Sequence, residues 1–214
     1  QAQGTAAPRL SRSVASQLVV LARWPAPGRC KRRLASSLGA EAAARVQARL
    51  TGHTLAVARQ LARQLGIELV LAVDGLAPRA ARRLGDQLGV GRIVLQGGGG
   101  LGVRMQRQFQ RAATERARRV VLIGSDLPQL ERADLASAFA ALDHQQAVLG
   151  PACDGGYWLI GLRRPEPALM EGIAWGSEQV LEQTLAALAR RGLEPALLPW
   201  RRDLDRGEDL GPWR

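Results

Sequence analysis

Five short stretches of the chain hold residue types that could do chemistry together. The first, Arg23-Trp-Pro-Ala-Pro-Gly-Arg-Cys-Lys-Arg-Arg-Leu34, sets rigid prolines and one glycine among five basic side chains. Backbone N–H groups in a tight turn, with Lys31 and the arginines beside them, suit a di- or triphosphate. The spacing of a P-loop is missing, and on residue types alone an exposed basic turn explains the stretch about as well. The second, Gln96-Gly-Gly-Gly-Gly-Leu-Gly-Val-Arg-Met105, gathers five glycines at a helix start. Glycine lets backbone approach a ligand closely and a helix N-terminus favours an anion; a flexible connector is the competing explanation.

The other three stretches carry carboxylates. In Ile123-Gly-Ser-Asp-Leu-Pro128, Asp126 stands where a strand ends. It could hold Mg²⁺ or Mn²⁺ beside substrate phosphates, since such ions need only one or two protein carboxylates; Asp-x-Pro also makes ordinary turns. In Gly150-Pro-Ala-Cys-Asp-Gly-Gly-Tyr-Trp-Leu-Ile-Gly161, Asp154 and two glycines separate two strands. Asp-Gly is a strong hairpin signal, but it does not account for Tyr157 and Trp158 beside it, and aromatic rings at a polar turn suit an acceptor pocket. Asp203-Leu-Asp205 turns two carboxylates to one face and could supply a second metal ligand. The bland alternative is a solvated tail paired with Arg201, Arg202 and Arg206. His53 and His144 read as structural or surface residues, and no Ser/His/Asp or Cys/His set supports covalent hydrolysis.

The net charge of +11 first suggests nucleic acid. Against that, the arginines are spread over every helix, and aromatics at 4% leave few stacking platforms for single strands. A solvated basic surface that steers small anions is expected, with no nucleic-acid partner. Of the 30 Lys plus Arg residues only Lys31 is a lysine. A chain that writes arginine almost everywhere and lysine once points to a place needing a compact ammonium rather than a planar fork. Cys30 and Cys153 lack metal-ligand spacing. No apolar run approaches the roughly 20 residues of a membrane span, and residues 1–17 lack the apolar centre of an export signal. A cytoplasmic location and two free thiols are expected.

The elements that must position these stretches follow from periodicity. Strands are predicted over 17–22, 67–73, 92–95, 120–124, 147–151, 157–162 and 194–199, and helices over 39–64, 78–88, 101–117, 132–142 and 177–191, the last capped by Ser177. Strand–helix alternation argues a three-layer α/β fold, a mostly parallel sheet with helices on both faces, and the pair around 154–156 could add an antiparallel element. With no repeat and no linker, 1–16 is expected to be a disordered leader and 17–214 a single domain. Ligands of such sheets bind beyond the carboxyl ends of the strands, where the loops after Ala22, Leu95, Gly124 and Pro151 carry the unusual residues.

Taken in this order, the motifs resemble the bacterial family called rSAM/selenodomain-associated transferase 1, a glycosyltransferase-like branch of the GT-A (Rossmann-like) nucleotide-diphospho-sugar transferase fold. The likeness covers roughly residues 18–210. The family's F-x-K-x-P-x-P-G-x-x-K-T-R-L lies over 21–34, and its Q…L-G-x-R-M is Gln96, Leu101, Gly102, Arg104 and Met105. Its G-S-D-x-P lies over 124–128, its G-P-x-x-D-G-G-Y-x-L-I-G-L over 150–162, and its D-x-D-x-x-E-D-L over 203–210. Arg23 stands for the family's usual lysine, Arg32 for its threonine, and Gly100 and Val103 for acidic residues flanking L-G-x-R-M.

The resemblance implies a metal-dependent transferase. Ala22, Pro25, Pro27, Gly28, Lys31, Arg33, Gln96, Gly102 and Arg104 would bind the nucleotide and its phosphates. Asp126 with Asp203 or Asp205 would hold Mg²⁺ or Mn²⁺. Asp154 would serve as acceptor-side base or orienter, and Gly155, Gly156, Tyr157 and Trp158 would shape the acceptor pocket. Asp126, Asp154 and Lys31 would carry the catalysis. The implied partners are a nucleotide sugar or a nucleoside triphosphate and a small-molecule acceptor, with a homodimer left open. Nucleotidyl transfer with release of pyrophosphate is the second expectation, and a non-catalytic basic binding protein, marked by Arg32, the third.

Overall fold

A computed structural model of the chain describes residues 16–166, 168–205 and 207–213. The expected leader lies outside these residues except for Ser16, which is buried and opens the first strand. In chain order the elements are β1 (Ser16–Arg23), α1 (Arg32–Leu38), α2 (Ala40–Leu65), β2 (Glu68–Asp74), α3 (Pro78–Leu88), β3 (Ile93–Leu95) and α4 (Leu101–Thr114). Then come β4 (Arg119–Ile123), α5 (Arg132–His144), β5 (Ala147–Pro151), β6 (Tyr157–Leu162), α6 (Val180–Ala189), β7 (Ala196–Leu197) and a 3-10 segment, Gly207–Trp213.

The strands form one seven-stranded sheet in the order β3-β2-β1-β4-β6-β5-β7. Neighbours are parallel except at β4–β6 and β5–β6, so β6 alone runs against the rest. The apolar runs are buried on both faces, as a parallel sheet requires. On one face Leu18, Val20, Leu71 and Val121 pack against Leu55 and Leu61 of α2 and Leu135 and Phe139 of α5. On the other, Val19, Val70 and Leu122 meet Met105 and Phe109 of α4 and Leu181 and Leu188 of α6. This is the three-layer, mostly parallel mixed α/β sheet that the alternation predicts.

The chain order reverses at β1, which has β2 on one side and β4 on the other. Such a switch point leaves a crevice beyond the strand ends. The register Val20↔Ile123 sets the end of β4 beside β1, three residues before β1 itself ends. Their following loops, with Lys31 and Asp126, therefore leave the sheet side by side.

Local departures from the periodicity have local causes. The seven-residue α1 is too short, and too rich in Arg and Ser, to show a helical period. Helix α6 starts at Val180 with Gln179 in the cap position, while Ser177 Oγ accepts a hydrogen bond from the Gln179 N–H at 3.2 Å, one step outside the helix. Only Ala196–Leu197 of the predicted last strand pairs, along the edge strand's single neighbour β5. Both cysteines are free thiols. Among the described residues no helix is long and apolar enough to cross a membrane.

Candidate functional site

Three chain segments meet at the switch point. In the loop after β1, the Arg29 N–H reaches the Ala26 carbonyl at 3.0 Å, closing a turn over Pro27 and Gly28. Lys31 then takes left-handed backbone angles (φ 47°, ψ 46°) just ahead of α1, a conformation that costs a long side chain energy and so needs support. The support is a small satellite core in which Leu34 of α1 packs with Ala43 and Leu50 of α2 and with Leu204. In the loop after β4, Ser125 is buried and receives a hydrogen bond from the Gln47 side-chain amide of α2 at 3.1 Å. His53 Nε2, also on α2, lies 3.0 Å from the Leu130 carbonyl oxygen. Helix α2 thus grips the loop on both sides of Asp126.

The third segment is the stretch after β7. It pairs with the end of β5 through Arg201 N–H to Pro151 O (3.0 Å) and Cys153 N–H to Arg201 O (2.9 Å), and Leu204 N–H bonds the Asp126 carbonyl at 2.9 Å. Its arginine does not pair with its own carboxylates: Arg201 Nη2 sits 2.6 Å from Asp134 Oδ1 of α5. With Leu204 buried, Asp203 and Asp205 turn the other way, toward Lys31. Arg206, the third arginine considered as a partner, lies outside the described residues.

Charge at this junction is uneven. Lys31 Nζ lies 2.7 Å from Asp126 Oδ1 and 3.9 Å from Asp205 Oδ1, and it donates to the Leu204 carbonyl. Arg33 Nη1 is 3.1 Å from Asp205 Oδ2. Burial, with the charges of Asp126 and Asp154 and, against them, Lys31, pushes the Asp203 carboxyl up to about 7. Among the described residues its buried Oδ1 has no hydrogen-bond partner.

An orphaned buried carboxylate oxygen beside other carboxylates fits a hard divalent cation. Among the described residues no group of three or more His, Cys, Asp and Glu forms a ready-made metal cage. Mg²⁺ and Mn²⁺ do not demand one, because they commonly take one or two carboxylates and complete their shell with water and substrate phosphate. Asp126, Asp203 and Asp205 are the carboxylates beside Lys31 at this junction.

The junction forms one wall of a cleft of about 1230 Å³. Ala22, Arg33, Gln96, Arg104 and Asp154 border it as the sequence expects, whereas Pro25, Pro27, Gly28, Gly102 and Gly155 do not. Gln96 is buried, and its amide donates to the carbonyls of Ala22 (3.1 Å) and Ala72 (2.9 Å), so it braces the ends of β1 and β2. Arg104 reaches Asp74 Oδ2 at 2.7 Å and the Gly99 carbonyl at 2.8 Å, tying the glycine loop to the end of β2. Asp74 also meets Arg23 at 3.2 Å. Burial would raise the Asp74 carboxyl, but the two arginines outweigh it and hold the group below its usual range.

The stretch expected to shape an acceptor pocket is arranged differently from its motif. Tyr157 and Trp158 both border the cleft, but from opposite faces of the sheet. Trp158 is buried over Gly150 and its indole N–H points to the Pro199 carbonyl at 3.4 Å. Tyr157 meets Trp175 edge-on, with ring centroids 6.3 Å apart, and burial lifts its phenol well above the usual range. Trp175 in turn lies over Gly102, where a Cβ would stand 2.5 Å from its indole nitrogen. Gly102 is there for close packing. Gly155 has φ +86°, and a Cβ on it would fall 2.1 Å from the Glu178 carbonyl oxygen, so the 154–156 turn is pressed against the segment leading into α6. Asp154 Oδ1 accepts from the Gly156 N–H at 2.9 Å, inside that turn.

Several residues of the site carry little signal in the sequence. Asp74 has one, a carboxylate at a strand end like Asp126, but an Asp-Gly strand terminus accounts for it equally well. Gln47 follows a helical period and looks like a surface residue. Trp175 lies outside all five motifs.

Comparison with known proteins agrees with this fold. A solved protein of Desulfovibrio desulfuricans G20, provisionally described as a nucleotide-diphospho-sugar transferase, is 32% identical over 90% of this chain and 83% of its own, with a TM-score of 0.79. Glucosyl-3-phosphoglycerate synthase of Mycobacterium tuberculosis, solved with Mn²⁺, UDP and glucosyl-3-phosphoglycerate, is 15% identical over 91% of this chain and 74% of its own (TM-score 0.55). The inositol-1-phosphate CTP transferase of T. maritima is 16% identical over 92% of each chain (TM-score 0.52). At that identity the last two have the fold in common with this chain. No curated protein matches the chain in sequence. Residues 26–177 match the family described as "Uncharacterized protein conserved in bacteria (DUF2064)", and with most of its length inside that match the chain belongs to this family.

Proposed function

We propose that this DUF2064 member is a metal-dependent transferase that takes a nucleotide-diphosphate sugar and passes its glycosyl group to a small acceptor. The finer placement, with the rSAM/selenodomain-associated transferase 1 proteins that its motifs resemble, is part of the same proposal. It is carried by the meeting of Lys31 and Asp126, 2.7 Å apart, at the strand-end crevice where α/β sheets bind ligands. The description of the D. desulfuricans relative supports it, and so do the Mn²⁺ and UDP bound by the mycobacterial synthase of the same fold.

In this proposal Arg23, Lys31 and Arg33 face the phosphates. Asp126 and Asp203 would hold Mg²⁺ or Mn²⁺, which when bound supplies charge stabilisation for the leaving diphosphate. The bond from the anomeric carbon to the diphosphate oxygen breaks with its electrons on that oxygen, and the acceptor hydroxyl oxygen bonds to the carbon. Asp154 takes the hydroxyl proton, or orients the hydroxyl that loses it. Most of the rate gain is then electrostatic and positional. A cytoplasmic place of action goes with this choice of substrates.

Nucleotidyl transfer is the second proposal, and a specific feature favours it: three of the cations that border the cleft, Arg23, Lys31 and Arg33, come from the one stretch between the end of β1 and the start of α1, enough for a triphosphate. Incubation with sugar nucleotides or with CTP or GTP, followed by mass analysis of products, separates the two. Asp126→Asn tests both. The amide keeps an acceptor for Lys31, so folding is retained, while Mn²⁺-dependent nucleotide binding should weaken at least about tenfold in calorimetry. Unchanged binding would remove Asp126 from the metal site.

A further inference from the structure

The ammonium of Lys31 is enclosed by its own site. Its side chain is only 4% exposed, while Asp126 is 45% exposed toward the cleft. Three acceptors converge on Nζ: Asp126 Oδ1 at 2.7 Å, the Leu204 carbonyl oxygen, and Asp205 Oδ1 at 3.9 Å. Of the three donors of an ammonium, Asp126 and the Leu204 carbonyl take two, and Asp205 adds a longer ion pair. Its partners come from the loop after β4 and from the segment after β7, and a left-handed backbone at Lys31 aims it between them. The compact ammonium reaches a niche a guanidinium fork would overfill, in a chain that otherwise uses only arginine.

We propose that Lys31 is a built-in counter-cation that competes with a divalent metal ion for the Asp126 carboxylate. The proposal rests on the metal site advanced above and adds how that site is regulated. A dication and an ammonium on one carboxylate repel each other strongly where water is scarce. Lys31 therefore holds the acidic junction together when no ion is bound and must swing away from Asp126 when one arrives. A phosphate group in the cleft offers the ammonium a replacement partner, so an anionic ligand and a metal ion favour each other's binding. The metal alone binds weakly.

Mn²⁺ binding, followed by the loss of the free-ion EPR signal, tests this on the full chain without any turnover. Lys31→Met, which keeps the unbranched stem, should bind Mn²⁺ about tenfold more tightly than the wild type, within the usual range of coupling between two ligands. Lys31→Arg should show no gain, and adding Asp126→Asn to Lys31→Met should abolish it. If Asp126→Asn weakens Mn²⁺ binding but Lys31→Met does not strengthen it, the metal site stands and the competition is refuted. If no variant alters Mn²⁺ binding, both fall.

Should Lys31→Met not fold, the wild type still decides between competition and its absence. Lys31 is the sole lysine, so an amine acylating reagent read by peptide mass spectrometry reports on it alone among side chains. Saturating Mn²⁺ should speed its acylation several-fold as the ammonium leaves Asp126; an unchanged or slower rate overturns the proposal.

Discussion

At the amino-terminal end of the strands, Glu68 and Glu115 face Arg92 and Arg111, and the Gln17 amide donates to both carboxylates at 2.7 Å. Arg92 lies 3.0 Å from Glu68 and also pairs with Glu115, and Arg111 lies 2.9 Å from Glu115. Two anions answer two cations. At the carboxyl-terminal end, Asp126, Asp154, Asp203 and Asp205 are grouped near Lys31 and Arg33. Both ends keep buried polar atoms with no partner among the described residues, Gln17 Oε1 and Arg111 Nη2 at the first and Asp203 Oδ1 at the second, so what differs is the balance of charge. One sheet holds both arrangements, and the difference separates scaffold from site. A balanced network lowers the energy of the folded chain; an unbalanced one leaves charge for something that is not part of the chain.

The sharpest way to break the comparison is to release the segment that delivers the surplus carboxylates. Asp134 is 6% exposed and holds Arg201 at 2.6 Å, so Asp134→Ala strands a half-buried guanidinium. About 3 kcal/mol of stability should be lost in urea unfolding, as for other buried pairs broken from one side. Mn²⁺ binding should fall with it, because Asp203 and Asp205 lose their anchor. A variant that unfolds earlier yet binds Mn²⁺ normally would show that the segment is held by Leu204 and the backbone bridge alone.

The amino-terminal end should respond in stability only. Burial would raise the Glu115 carboxyl, but the Gln17 hydrogen bond and the charges of Arg111 and Arg92 outweigh it, and the group titrates below its ordinary range. A depressed folded-state value means stability that is present above the ordinary glutamate value of about 4.3 and is lost as pH falls through the folded one. Glu115→Gln should therefore cost about 1–2 kcal/mol at pH 7, discounted for partial exposure. The gap from wild type should close as thermal melts are taken from pH 5 toward pH 3. Metal and nucleotide binding should not change. A gap that widened in acid would reverse the assignment.

Much of this is legible in the sequence, and unevenly so. Apolar runs such as 120–124 mark strands because a parallel sheet buries both faces, and that leaves the following Asp126 at a crevice. Strand order is not legible: nothing local says that β4 lies beside β1, so the contact between Lys31 and Asp126 can be expected only through family likeness and the crevice rule. Adjacency groups Tyr157 with Trp158, whereas strand alternation sends neighbours to opposite faces. Pro27 and Gly28, expected among the phosphate contacts, lie in the turn ahead of Lys31 and outside the cleft lining. Helical periodicity places Gln47 on α2 but cannot show that a polar residue there is buried against a loop 78 residues away.

Gln47 gives the finest test of the difference between the two ends, because it is neutral and contributes no charge to either. Its amide donates to Ser125 Oγ at 3.1 Å and to Thr51 Oγ1 at 3.2 Å, and Ser125 adjoins Asp126. Gln47→Met preserves length and removes both donors. Losing these bonds in a buried setting should cost about 1 kcal/mol, comparable to or less than Glu115→Gln. If the carboxyl-terminal end is organised for a ligand, the same substitution should also weaken Mn²⁺ binding by about tenfold, the loss typical when a partner that orients a metal ligand is removed. The two variants would then separate cleanly: similar small losses in stability, and a change in metal affinity for only one. Equal Mn²⁺ affinity in both would mean that Ser125 and its neighbours are scaffold, and that orientation of Asp126 comes from Lys31 and the Leu204 backbone alone.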